Sequence, residues 1–103
     1  MGDTETILFS INSLVQSVVP GAKVFLFGSR AYGHPTEESD WDILILTSQK
    51  VDSTLKKEIH TALFPLSVRI GAFINTLTVE ENDWINNPGY YSLHQTIKRM
   101  VKA

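Results

Sequence analysis

Asp40-Trp41-Asp42 leads straight into Ile43-Leu44-Ile45-Leu46, and this stretch leaves the chain few options. It reads as a strand, Asp40 to Leu46, buried along its apolar part. Successive side chains of a strand alternate between faces. Asp40 and Asp42 then point the same way, roughly 7 Å apart along the chain. Trp41 points the other way, where it is expected to pack under a helix. Two carboxylates side by side on one face repel each other unless a cation sits between them. Magnesium answers that demand, because it takes oxygen ligands and is typically held by one or two carboxylates plus substrate phosphates.

A second apolar run, Phe25-Leu26-Phe27, ends in Gly28-Ser29-Arg30. Lys23 to Phe27 is expected to be the first strand, with a short helical turn starting at Arg30 to Tyr32. A Gly-Ser turn leaving a strand offers a phosphate exposed backbone N–H groups and a hydroxyl. The plain alternative is a strand-to-helix turn in which glycine relieves a steric conflict. With the aspartate pair nearby, the two stretches together describe a site for a metal-bound nucleoside triphosphate. Arg30 either reaches a phosphate or pairs with a surface carboxylate such as Glu37 or Glu38. Ser39, directly before the pair, is placed to orient Asp40 and is counted with Gly28, Ser29 and Arg30 as nucleotide-binding.

Gly28-Ser29, a gap of ten residues, and Asp40-x-Asp42 resemble the signature of the nucleotidyltransferase superfamily with the DNA polymerase beta-like palm. Gly28-Ser29-Arg30-Ala31-Tyr32-Gly33 and Ser39-Asp40-Trp41-Asp42 narrow the resemblance to the minimal nucleotidyltransferase group. It covers nearly the whole chain, since that group is little more than the palm. The resemblance implies an α/β (α+β) fold: a small mixed sheet of three to four strands with helices on one face and the site on the other. It also implies Asp40 and Asp42 as magnesium ligands and catalytic residues, ATP as the substrate, and an acceptor hydroxyl. Relatives of this kind are commonly encoded beside a helical HEPN-type protein as a toxin–antitoxin pair, so a HEPN partner is implied as acceptor, within a homo- or hetero-oligomer.

Composition sets the outer bounds. The 103 residues are expected to form a single domain, 1–103, and the 43% hydrophobic content is that of a chain that folds. No apolar run approaches the ~20 residues that span a bilayer, and the start, with Asp3 and Glu5, does not resemble a signal peptide. The absence of cysteine suits a reducing, cytoplasmic setting. A formal charge of −2 points away from nucleic acid as the main substrate.

Along the chain, Asp3 or Thr4 can cap a first helix carrying Ile7, Leu8, Ile11, Leu14, Val15, Val18 and Val19 on one face, stopped by Pro20-Gly21. Gly33 to Ser39 reads as a turn-rich loop. Asp52 or Ser53 can cap a helix through Leu55, Ile59, Ala62 and Leu63, which Pro65 is expected to end. Leu66 to Ile74 is expected to be the third strand. There the resemblance implies a third carboxylate, serving mainly the ion that activates the nucleophile. The slot falls on Gly71, with Arg69 two residues back. That supports an alternative function: a catalytically impaired module that silences a partner by occluding it. Thr78-Val79-Glu80-Glu81 resembles a capped helix start leading to a core Trp84. A last helix is expected to carry Tyr90, Leu93, Ile97, Met100 and Val101, with His94 as a satisfied packing histidine. Tyr90 and Tyr91 are where a partner could dock.

Overall fold

Among the described residues, four strands form a mixed sheet in the order β3-β2-β1-β4. The computed structural model describes residues 4–32, 40–96 and 100–103, without the side chains of residues 29, 32 and 96. Helix α1 (Thr4–Val18) leads into β1 (Lys23–Phe27), a short α2 (Ser29–Tyr32) and β2 (Trp41–Thr47). Then come α3 (Ser53–Ile70), β3 (Ile74–Glu80), α4 (Glu81–Asn86), a 3-10 turn (Pro88–Tyr90), α5 (Tyr91–Thr96) and β4 (Val101–Lys102). β1 runs antiparallel to β2 and β4, and β2 runs parallel to β3 with α3 as the crossover.

The first half forms as its sequence dictates. Ile7, Leu8, Ile11 and Val15 bury one face of α1. β2 is buried on both faces, which explains its continuous apolar run. Trp41, Ile43 and Ile45 join α1 and α3 in the larger core, with Val24 and Leu26 of β1. Leu44 and Leu46 face the other way, toward Val79 and Trp84, with Phe25, Phe27 and Leu77 beside them. The two long helices therefore share one face of the sheet. The short C-terminal helices cover part of the other, through Trp84, Tyr90 and Leu93.

The second half departs from the expectations. Pro65 does not end α3. The helix starts at the Asp52 cap, whose carboxylate accepts from the Leu55 N–H at 2.8 Å, and runs through Pro65 to Ile70. Proline inside a helix costs about 3 kcal/mol. Here Pro65 and Thr61, whose carbonyl loses its partner, are both exposed, so water can satisfy that oxygen. Leu63 and Leu66 are buried on either side and hold the helix to the core. Gly71, in the left-handed conformation at φ 70°, is the C-cap, its N–H reaching the Ser67 carbonyl.

The expected strand over 66–74 is therefore corrected: the third strand is Ile74–Glu80, with Arg69 in the last turn of α3 and Gly71 off the sheet. Thr78 is a buried strand residue, and α4 begins at Glu81 without a side-chain cap. The last helix is shorter than expected too. Val101 and Lys102 form β4 against Leu26 and Phe25, and Ala103 N–H donates to the Val24 carbonyl at 2.8 Å. Pairing with an unoccupied sheet edge overrides the apolar spacing there. His94 packs on Trp84 with ring centroids 4.2 Å apart, but its Nε2 is buried without a hydrogen-bond partner rather than satisfied. Asp3, residues 33–39 and residues 97–99 lie outside the described residues.

Candidate active site

The register brings three side chains to one end of the sheet. Phe27, the last residue of β1, pairs with Asp42. On the other side of β2, Asp42 pairs with Asn75, near the start of β3. Pairing residues share a face. Asp42 and Asn75 therefore lie on the face of Leu44 and Leu77, beyond the apolar patch that α4 and α5 cover. Asp40 directly precedes β2 and is exposed.

Gly28 fixes this corner. It takes φ 78°, which L side chains avoid, and a Cβ placed on it would overlap the Asp42 carboxylate. The turn and the aspartate are thus shaped to each other: the absent side chain is the space that the carboxylate fills. The Gly28 carbonyl accepts from the Ala31 N–H at 3.0 Å, starting α2 directly after the glycine.

Asn75 was not singled out by the sequence, yet it touches both aspartates. Its Nδ2 donates to Asp40 Oδ2 at 2.9 Å and, less closely, to Asp42 Oδ1 at 3.4 Å. The residue beside the pair is an amide on β3, not Gly71. Ile74-Asn75-Thr76-Leu77-Thr78-Val79, β-branched and alternating, was the signal that could have found it.

Of the other residues expected here, Arg30 lies over the Trp41 ring, 4.3 Å from guanidinium carbon to centroid. Trp41 itself points into the α1–α3 layer, on the opposite face of β2 from Asp42. The Ser29 side chain and all of Ser39 lie outside the described residues. One cation was hidden by the helical reading of the C-terminus: β4 pairs Lys102 with Phe25, which puts it on the face of Asp42. Among the described residues, no three His, Cys, Asp or Glu side chains stand close enough to share a metal ion. Two carboxylates on one open corner fit a single divalent ion whose remaining ligands are phosphate oxygens and water.

A mixed four-stranded sheet of this order, with helices on it, is a nucleotidyltransferase-like fold. The chain belongs to the nucleotidyltransferase domain family, which it matches over residues 10–85. Three solved structures illustrate the likeness. One is a toxin–antitoxin crystal structure with AMP-PNP, at TM-score 0.64 and 18% identity, covering 92% of this chain and 70% of that one. A second is a tri-AMPylated HEPN toxin of Shewanella oneidensis in complex with its MNT antitoxin, at TM-score 0.62 and 15% identity, covering 95% and 69%. The third is spectinomycin adenyltransferase from Enterococcus faecialis with ATP and spectinomycin, at TM-score 0.67 and 16% identity, covering 98% of this chain and 48% of that one. A comparison with curated proteins gives no match. The expected nucleotidyltransferase family is shown, and the likeness to the antitoxin structures is one of fold. No helix among the described residues is long and apolar enough to cross a membrane.

Proposed function

We propose that this chain binds a magnesium-bound nucleoside triphosphate, ATP by the likeness to adenylyl-transferring neighbours, and transfers its nucleoside monophosphate to a hydroxyl on a partner protein. The observation that carries the reading is the corner of Gly28, Asp40 and Asp42. A glycine turn with no room for a side chain abuts a carboxylate pair on the open end of a sheet. Asp40 and Asp42 would hold the ion. The Gly28-Ser29 turn would offer backbone N–H groups to the phosphates, and Lys102 adds positive charge on the same face. Magnesium, when bound, would neutralise triphosphate charge.

In the transfer, the acceptor oxygen bonds to the α-phosphorus. The bond from that phosphorus to the bridging oxygen breaks, pyrophosphate leaves with the electron pair, and the hydroxyl proton passes to solvent. The protein's share is positioning and charge complementarity, as is usual for such transfers.

A protein acceptor is favoured by the surface. Phe64, Val68 and Phe73 are exposed and line a groove of about 450 Å³ between the end of α3 and the start of β3. Exposed apolar patches of this kind mark interaction sites. The groove ends at Ile74, which pairs with Trp41 at the same end of the sheet as the carboxylates but on the α1–α3 face. A HEPN-type helical partner is the first candidate, because two of the neighbouring structures are toxin–antitoxin complexes.

A second reading, occlusion of that partner without transfer, is favoured by Asn75 where a further carboxylate would be of use. Incubation with ATP labelled at the α- or the γ-phosphate, with magnesium and a purified HEPN-type partner, separates the two. Label carried to the partner from the α position alone is expected. Tight partner binding with no label from either position would leave occlusion standing, and transfer of γ-label would mean phosphorylation instead.

A further inference from the structure

Asn75 meets the two carboxylates with a neutral group at the one point where a third charge would most change the site. It lies directly across β2–β3 from Asp42, and its single amide nitrogen spans both aspartates. Each of the two N–H bonds can serve one carboxylate, which relieves the repulsion of the pair without adding charge. A half turn about the terminal torsion presents Oδ1 in place of Nδ2, and an amide oxygen is an acceptable ligand for a hard cation. It brings no negative charge. Among the described residues, Asp40 and Asp42 are the two carboxylates that Asn75 touches, and no cluster of three acidic or other metal-binding side chains is found.

We propose that Asn75 is a positioning residue that restricts the corner to one divalent ion. It aligns Asp40 and Asp42 for the ion that accompanies the nucleotide, and it withholds the carboxylate that a second ion beside the attacking hydroxyl needs. The inference rests on the nucleotide reading above and deepens it. Two-ion sites hold their ions about 3.5–4 Å apart, and shared or adjacent carboxylates offset the repulsion between them. Replacing one anion by an amide removes that offset for the second ion and spares the first, whose other ligands come from the triphosphate. The site so built favours binding over transfer. Transfer would then depend on an acceptor that is already partly ionised, or on a carboxylate brought by the partner.

The test counts ions. Wild type and Asn75→Asp are saturated with α,β-methylene-ATP, whose α–β linkage resists cleavage, and titrated with Mn2+ followed by electron paramagnetic resonance. One protein-dependent Mn2+ per chain is expected for wild type. Two are expected for Asn75→Asp, with the spin-coupled spectrum of a close pair, a signature that a merely structural role for Asn75 would not produce. Two ions on wild type would overturn the proposal, as would one ion on a folded Asn75→Asp that still binds the nucleotide. Loss of nucleotide binding altogether in folded wild type is a different outcome: it overturns the nucleotide reading first and this inference with it. The wild-type count stands whether or not the variant folds. Should Asn75→Asp be unstable in EDTA, its melting temperature should recover on adding Mn2+ far more than wild type moves. A variant that divalent ions do not rescue would count against the proposal.

Discussion

Gly28 and Gly71 both take a positive φ, 78° and 70°, each just after a secondary-structure element. The first ends a strand and the second ends a helix. At Gly28 a Cβ would strike the Asp42 carboxylate; at Gly71 nothing lies within 4 Å. One glycine is required by its neighbour and the other only by its own backbone. Conformation alone therefore does not tell a site glycine from a helix stop, and what stands in the missing side chain's place does.

Substitutions at the two turns should separate these roles. The largest effect is expected for Gly28→Ala. The left-handed backbone costs ~1–2 kcal/mol for an L residue, and overlap with Asp42 adds about 1–3 kcal/mol more. Urea denaturation should register that loss, and magnesium-dependent ATP binding should vanish with it because Asp42 is displaced. Retained binding would mean that the carboxylate's seat against the glycine is not what orients it.

Next comes Asp42→Asn, which keeps the shape and removes one charge. ATP affinity in magnesium, measured by calorimetry, should fall by roughly 100-fold, ~2.7 kcal/mol, while binding in EDTA stays as weak as in wild type. Equal affinity in both proteins would remove Asp42 from the nucleotide site.

Gly71→Ala should cost about 1 kcal/mol of stability from its backbone alone, with ATP affinity unchanged. A much larger loss would reveal a contact at this turn that the fold does not suggest. The smallest effect belongs to Gly71→Asp. An acid there sits at the end of α3 and not beside Asp42, so the number of Mn2+ ions bound should match wild type. A second ion appearing in Gly71→Asp would break the comparison and return the third-ligand slot to this turn.

Much of the site half was legible because its signals are local and agree with one another. The apolar run of β2, the alternation of Asp40 and Asp42, and the Gly28-Ser29 turn all point to one geometry. The second half was harder because its local signals conflict. Pro65 is a strong helix breaker, yet Leu66 and Ile70 continue the spacing of Ile59 and Leu63, and burial prevails. Once the helix is taken to stop at Pro65, the strand moves eight residues too early and Asn75 is lost from view. The same conflict hid Lys102, because the helical spacing of Leu93, Ile97, Met100 and Val101 in the sequence gives way at Val101 to pairing with β1.

By itself the sequence determined the two strands β1 and β2, the glycine turn and the alternation that sets Asp40 and Asp42 on one face, because alternation and turn chemistry are properties of neighbouring residues. Only the tertiary structure decided what stands beside them. Asn75 reaches Asp40 across 35 positions of sequence through a parallel pairing whose register depends on where α3 stops and how it packs. No local pattern carries that register. It is set by the burial of Leu63 and Leu66 against the sheet, which outweighs a proline's local preference.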